Sequence, residues 1–255
     1  MQNNAISYPP LSKQHFSDLL KLKQKKFRII NGKTLAEGVN LIGQLCQNGI
    51  SPSEIITSQP HLADVFAEKV RCRIYLTGEK EMAKLTETTS PAPLVSVMNI
   101  PKFELKNYKR LLYLAGIKDP GNMGTMFRIA AAFNWDGVVL APECCEVFSP
   151  KVIRASLGSV FWLPSDTKDT DWLKGQNAVK IGLEVRAKQT LDEFTQNLNP
   201  EQALILVIGS EAEGISSQIK QELTLSVKIP LCGRMESLNA AVAAGIAIYE
   251  FSRNF

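Results

Sequence analysis

Apolar runs long enough to be buried strands recur along the second half of the chain, each followed by a polar, glycine-bearing loop. The first run, Leu111 to Ile117, precedes the loop Lys118-Asp119-Pro120-Gly121-Asn122-Met123-Gly124-Thr125 and a helical pattern over Met126 to Phe133. The second, Leu204 to Ile208, precedes Gly209-Ser210-Glu211-Ala212-Glu213-Gly214. The third, Ser226 to Ile229, leads through a loop containing Gly233 to a helix opening at Ser237-Leu238-Asn239, with Ser237 as the expected N-cap. Further strands are expected over 137–141, Phe161 to Leu163 and 179–184. Helical patterns lie between most of them, so the strands are expected to run parallel with crossover helices. In open sheets of this kind ligands sit beyond the carboxyl ends of the strands, so three such loops can line one site.

The first hundred residues alternate differently. A helix is expected over Leu35 to Cys46, a strand at Ile55 to Thr57, a helix over Leu62 to Val70 and strands at Arg73 to Leu76 and Leu94 to Ile100. This predicts a small α/β domain over 1–100, a polar and basic connection, and a parallel-sheet domain over 109–255. The last helix carries Ala240, Ala241, Ala243, Ala244, Gly245 and Ala247, side chains small enough for close packing in a core.

Hydrophobic residues at 45% and charged residues at 21% describe an ordinary globular chain. No apolar run reaches membrane-span length and no secretory leader is visible, so a cytoplasmic protein is expected. The five cysteines lack a C-x-x-C pair and only His15 and His61 accompany them, which supports neither a metal site nor a disulfide framework. Net charge is +4, and Lys13, Lys21, Lys23, Lys25, Lys26, Arg28 and Lys33 stand against only Asp18 in their stretch. Such a cluster either attracts a phosphate backbone or forms a solvated helix face.

The first loop has neither the G-x-G-x-x-G of a dinucleotide fold nor the G-K-[ST] of a P-loop. An oxidoreductase reading through Glu143 leaves the other two loops idle. In order and spacing, DPGNMGTMFRIAAAF, VIGSEAEGI and IPLCGRMESLNAAVAAGIAIYE resemble the three motifs of the SpoU-type (TrmH-like) RNA ribose 2'-O-methyltransferases, members of the knotted SPOUT superfamily. KFRIINGKTLAEGVNLIGQL resembles the start of the small substrate-recognition domain many members carry.

The resemblance implies an α/β fold whose C-terminal domain holds a trefoil knot, S-adenosylmethionine as cofactor, a homodimer and an RNA substrate, ribosomal rather than transfer RNA. It implies a cofactor pocket of Gly209, Ile229 and Leu238, with Ser210, Gly214, Pro230, Leu231 and Gly233 around it. Asn122, Arg128, Glu211, Ser237 and Asn239 would surround the target ribose. Asn122 and Arg128 are expected at one end of a helix. The chain departs from the common family pattern at Ser210, where Asn is usual, at Leu231, where Met is usual, and at Ala240-Ala241, where Val-Ser is frequent. The rival readings are a transfer-RNA methyltransferase, a non-catalytic RNA-binding protein of the same fold, and methylation of a base.

Overall fold

A computed structural model describes residues 7–88, 90–199 and 201–253. Residues 1–6 and 89 of the expected N-terminal domain, and residues 200, 254 and 255 of the expected C-terminal one, lie outside the described residues. The chain forms two compact units, one comprising residues up to Pro101 together with Phe148–Phe161, the other Lys102–Val147 with Trp162–Phe255.

The first unit contains α1 (Lys13–Lys21), α2 (Lys25–Asn31), β1 (Lys33–Glu37), α3 (Val39–Gln47), β2 (Glu54–Thr57), α4 (Pro60–Ala67), β3 (Arg73–Leu76), α5 (Glu79–Leu85) and β4 (Leu94–Asn99). Its sheet runs β1-β4-β2-β3, antiparallel except for the β2–β3 pair. Neighbouring strand residues point to opposite faces, so Ile55 and Leu94 enter a core with Phe66 and Val70, while Ile56 and Val95 enter another with Leu19 and Met82. The helix expected from Leu35 begins only at Val39. Leu35, Ala36 and Glu37 are strand residues paired with β4, and Gly38 at φ +107° makes the break.

The segment Phe148–Phe161 packs in this unit although it lies between strands of the other. Ser149 caps the short helix over Pro150–Ala155 by accepting from the Val152 amide. Val152, Ile153 and Val160 are fully buried. Gly158, at φ +82°, leaves room for the methyl groups of Leu41 and Leu45, which would stand 3.1 and 2.7 Å from an added Cβ. Arg154 donates to the buried Glu37 carboxylate at 2.6 Å, and the other Glu37 oxygen accepts from the Glu87 amide at 3.1 Å. Arg154→Ala is expected to lower the stability of the protein by about 2–3 kcal/mol, because the carboxylate keeps its burial and loses its cation. Denaturant unfolding measures this, and Arg154→Lys should recover part of the loss.

The second unit contains β5 (Arg110–Ala115), α6 (Pro120–Ala132), β6 (Gly137–Leu140), β7 (Ser165–Thr167), α8 (Thr170–Lys174), β8 (Val179–Leu183), β9 (Gln189–Thr190), α9 (Leu191–Thr195), β10 (Leu204–Gly209), α10 (Ser217–Lys220), β11 (Leu225–Lys228) and α11 (Ala240–Ser252), with α7 being the Pro150–Ala155 helix above. All its strand pairs are parallel and their order is β7-β6-β5-β10-β8-β11-β9. β10 is central and wholly buried, which accounts for its unbroken apolar run. The strand expected at Phe161 to Leu163 is instead a 3-10 turn over Ser159–Phe161, and the chain rejoins the sheet at Ser165. Pro164 intervenes, and its carbonyl accepts from the Val138 amide. As the alanine pattern suggested, α11 is a packing helix: Ala241, Ala244 and Ala247 are buried, and a Cβ at Gly245 would lie 3.0 Å from Ile129 of α6.

Candidate active site at the ends of parallel strands

The sheet grows outward in both directions from the β5–β10 pair, with β6 and β7 on one side and β8, β11 and β9 on the other. A crevice at such a reversal is where open parallel sheets hold ligands. The first two motif loops leave this pair side by side, since Ala115 and Gly209 are register partners.

The first loop is shorter than its sequence suggests. After Gly116 at φ +78°, Asp119 caps α6 by accepting from the Asn122 amide at 2.7 Å, and Pro120 takes the first helical position. Asn122 therefore sits in the first turn of a helix rather than in a loop. Arg128 follows on the same helix, about 9 Å further along and about 240° around. The expectation that both share one end of the helix is thus corrected. Arg128 is exposed and has no ion-pair partner among the described residues, so it is not held as one half of a surface salt bridge.

The second loop is a tight reversal. Ser210 and Gly214 exchange two backbone hydrogen bonds of 3.0 Å, and the Ser210 hydroxyl accepts from the Glu213 amide at 3.1 Å. Ser210, one of the departures from the family pattern, thus helps close the turn through both its backbone and its hydroxyl oxygen. Gly214 has φ +67°. Gly209 has no room for a side chain, because an added Cβ would stand 2.2–2.5 Å from backbone atoms of Gly214 and Ile215. Glu211 projects from this turn, exposed.

The third loop is open: every residue from Pro230 to Asn239 is exposed. α11 starts at Ala240, and its cap is Asn239, not the expected Ser237. The Asn239 side-chain carbonyl accepts from the amides of Ala241 at 2.9 Å and Val242 at 3.2 Å. An amide side chain is the fitter cap here because its second group is also in use. Asn239 Nδ2 donates to Asn122 Oδ1 at 3.0 Å, and Asn122 Nδ2 donates to Glu211 Oε1 at 2.8 Å.

These bonds can run in only one direction. An ionised carboxylate only accepts, so the Asn122 NH₂ must face Glu211, its carbonyl must face the Asn239 NH₂, and the Asn239 carbonyl must face the helix amides. One residue from each motif is thereby joined into a single chain that ends on the amides of α11. Arg128 and Ser237 are not part of it. The Asp119 cap was missed as a site-building residue, although its Asp-Pro pair is a readable helix start.

Among the remaining expected residues, Gly209, Ser210 and Gly214 build the second turn, and Ile229, Pro230, Leu231, Gly233 and Leu238 lie along the third loop. Leu231 and Leu238 are 39% and 37% exposed, large apolar side chains left open beside the strand ends. Cys145 lies against Met123, with sulfur atoms 3.7 Å apart, and burial pushes its thiol up to about 11, so it stays protonated near neutrality. No group of His, Cys, Asp and Glu that could hold a metal ion occurs among the described residues.

The basic cluster is only partly free. Lys21 pairs with Asp18 at 2.7 Å, Lys23 donates to the Lys84 and Thr86 carbonyls at the C-terminal end of α5, and Arg28 is buried and donates to the Leu22 carbonyl. Lys13, Lys25, Lys26 and Lys33 remain.

Residues 109–249 match the model of the SpoU rRNA Methylase family, and residues 14–96 match that of an MRM3-like substrate binding domain. The 23S rRNA (guanosine(2553)-2'-O)-methyltransferase RlmP of Bacillus subtilis is 29% identical, the match covering 92% of this chain and 95% of that one. An uncharacterized tRNA/rRNA methyltransferase of Synechocystis sp. is 32% identical, with 96% and 91% covered. The crystal structure of the SpoU methyltransferase AviRb from Streptomyces viridochromogenes in complex with AdoMet aligns with a TM-score of 0.81 at 25% identity, covering 95% of this chain and 98% of that one.

Proposed function

Because the chain belongs to the SpoU rRNA methylase family, we propose that it transfers a methyl group from S-adenosylmethionine to a ribose 2'-hydroxyl of ribosomal RNA. The observation that carries this reading to particular residues is the Glu211–Asn122–Asn239 chain, which draws one polar side chain from each of three strand-end loops into one cluster. A non-catalytic RNA-binding protein would have no use for that convergence.

The residues present suit the cofactor. Gly209 ends β10 and Ile229 follows β11, two parallel strands with β8 between them, and the missing side chain at Gly209 lets its backbone approach a ligand. Ile229, Leu231 and Leu238 supply apolar walls for a purine, and the space around Gly214 and Gly233 is open to 4 Å from an added Cβ. When bound, S-adenosylmethionine supplies an electrophilic methyl group on a sulfonium.

Holding the ribose in line with that methyl can supply roughly 7–11 kcal/mol of the barrier. We assign this alignment to Asn122, Glu211 and Asn239, which hydrogen bonds join, and to Ser237 on the third loop. Arg128 brings a planar, delocalised guanidinium cation whose donor fork matches a phosphate. Its role is that of a cation on the neighbouring phosphate, stabilising the oxygen as it gains charge. The hydroxyl proton passes to that phosphate or to water.

The N-terminal domain, 1–100, binds the RNA substrate, and 109–255 is the knotted methyltransferase domain. The chain works as a homodimer, which the exposed stripe Val242, Ile246 and Tyr249 at helical spacing along α11 supports. It acts in the cytoplasm, where its RNA substrate is; among the described residues no helix is long and apolar enough to cross a membrane.

Titrating the full-length protein with S-adenosylmethionine in a calorimeter should give saturable binding without RNA, and no heat at millimolar cofactor would sink the assignment. Mapping 2'-O-methyl groups on total RNA from a deletion strain should show a ribosomal position lost. Loss from transfer RNA alone would move the substrate to the rival class.

A further inference from the structure

Helix α2 faces the wrong way for its composition. Its arginine, Arg28, is 4% exposed and donates to the Leu22 carbonyl at 2.8 Å, whereas Ile29 and Ile30 are each 65% exposed. Burying a guanidinium while leaving two adjacent large aliphatic side chains in water is the reverse of what packing alone selects. Lys25 and Lys26, both exposed, each precede one of these isoleucines by four residues, so each lysine lies one turn away on the same strip of helix surface. Neither of them, nor Lys33 just past the Gly32 cap, has an ion-pair partner among the described residues.

From this arrangement we infer that α2 seats an unpaired, unstacked nucleotide of the RNA substrate, with Ile29 and Ile30 against the base and the Lys25 and Lys26 ammonium groups on flanking phosphates. The inference rests on the RNA methyltransferase reading and specifies what its N-terminal unit holds. A-form duplex hides base faces in its stacks, so it would engage the lysines and leave the isoleucines idle. A second copy of this chain is opposed by charge, because a two-fold contact through α2 sets Lys25 and Lys26 against the same pair.

The test uses the full-length protein and purified, protein-free ribosomal RNA of its host. Ile29→Ser/Ile30→Ser should weaken binding about ten-fold, the equivalent of about 1.4 kcal/mol, without changing the salt dependence. Ile29→Leu/Ile30→Leu should bind like the wild type. Lys25→Gln/Lys26→Gln should reduce the slope of log affinity against log salt by about 1.4, as two lost single-strand phosphate contacts require. A photo-crosslinking benzoylphenylalanine at position 30 should attach to RNA at unpaired nucleotides. Unchanged affinity in the serine variant, with wild-type methylation intact, overturns the nucleotide seat and leaves the methyltransferase reading standing. A serine variant with a lowered melting temperature, or crosslinks to paired nucleotides or to a protein chain, also overturns it. A wild-type protein that neither binds nor methylates ribosomal RNA overturns both.

Discussion

Replacing Arg128 with alanine is expected to slow single-turnover methyl transfer about 10²–10³-fold at saturating S-adenosylmethionine, the range for removing one group that stabilises a developing oxyanion. The side chain is exposed on α6 and tied to no acidic partner among the described residues. Its removal therefore costs the fold little, and the loss reports on the reaction. Cofactor affinity should stay within about two-fold of the wild type, a change of roughly 0.4 kcal/mol, because the proposed pocket draws on the loops after β10 and β11. Arg128→Lys should keep part of the rate, since it preserves the charge without the bidentate fork. A wild-type rate in Arg128→Ala would remove this residue from the mechanism. Complete loss in Arg128→Lys with RNA binding intact would count against a simple cation.

Gly209→Ala should be the most damaging single methyl addition in the site. The new Cβ meets the Gly214 carbonyl carbon and oxygen and the Ile215 amide nitrogen at 2.2–2.5 Å, all backbone atoms with no rotamer to change. Overpacking typically costs about 1–3 kcal/mol where side chains can yield, and the upper end or beyond applies here. Relief must come from opening the Ser210–Gly214 turn, which also displaces Glu211 from the Asn122 amide. S-adenosylmethionine affinity is expected to fall about 100-fold, some 2.7 kcal/mol, with melting temperature falling too. Gly214→Ala is the informative control: nothing lies within 4 Å of its added Cβ, and only the φ of +67° is strained. Equal effects of the two substitutions in calorimetric titration would argue that backbone conformation, rather than the close approach at Gly209, controls the pocket.

The three strand-end loops were legible because each follows an apolar run and contains polar groups that no core position explains. Local reading failed where two solutions satisfy the same local rules. Ser237 and Asn239 are both competent caps, and the choice fell to Asn239 because its amide can cap α11 and also donate to Asn122, 117 residues away. Leu35-Ala36-Glu37 can continue a helix, yet β4 offers five register partners to the stretch from Lys33 to Glu37. The first loop was read as eight residues long because Pro120 and Gly121 look like a turn, whereas a proline after a capping aspartate starts a helix. The exposure of Ile29 and Ile30 follows from the burial of Arg28, a tertiary choice with no trace in the local pattern.

The placement of Phe148–Phe161 bears on any exchange of specificity between relatives. A recombinant spliced once, near Pro101, would give the incoming N-terminal half a foreign helix to fit around Leu41, Leu45 and Glu37. The first unit is therefore encoded by two separated stretches of the gene, and a chimera that carries both should fold where a single-crossover one aggregates.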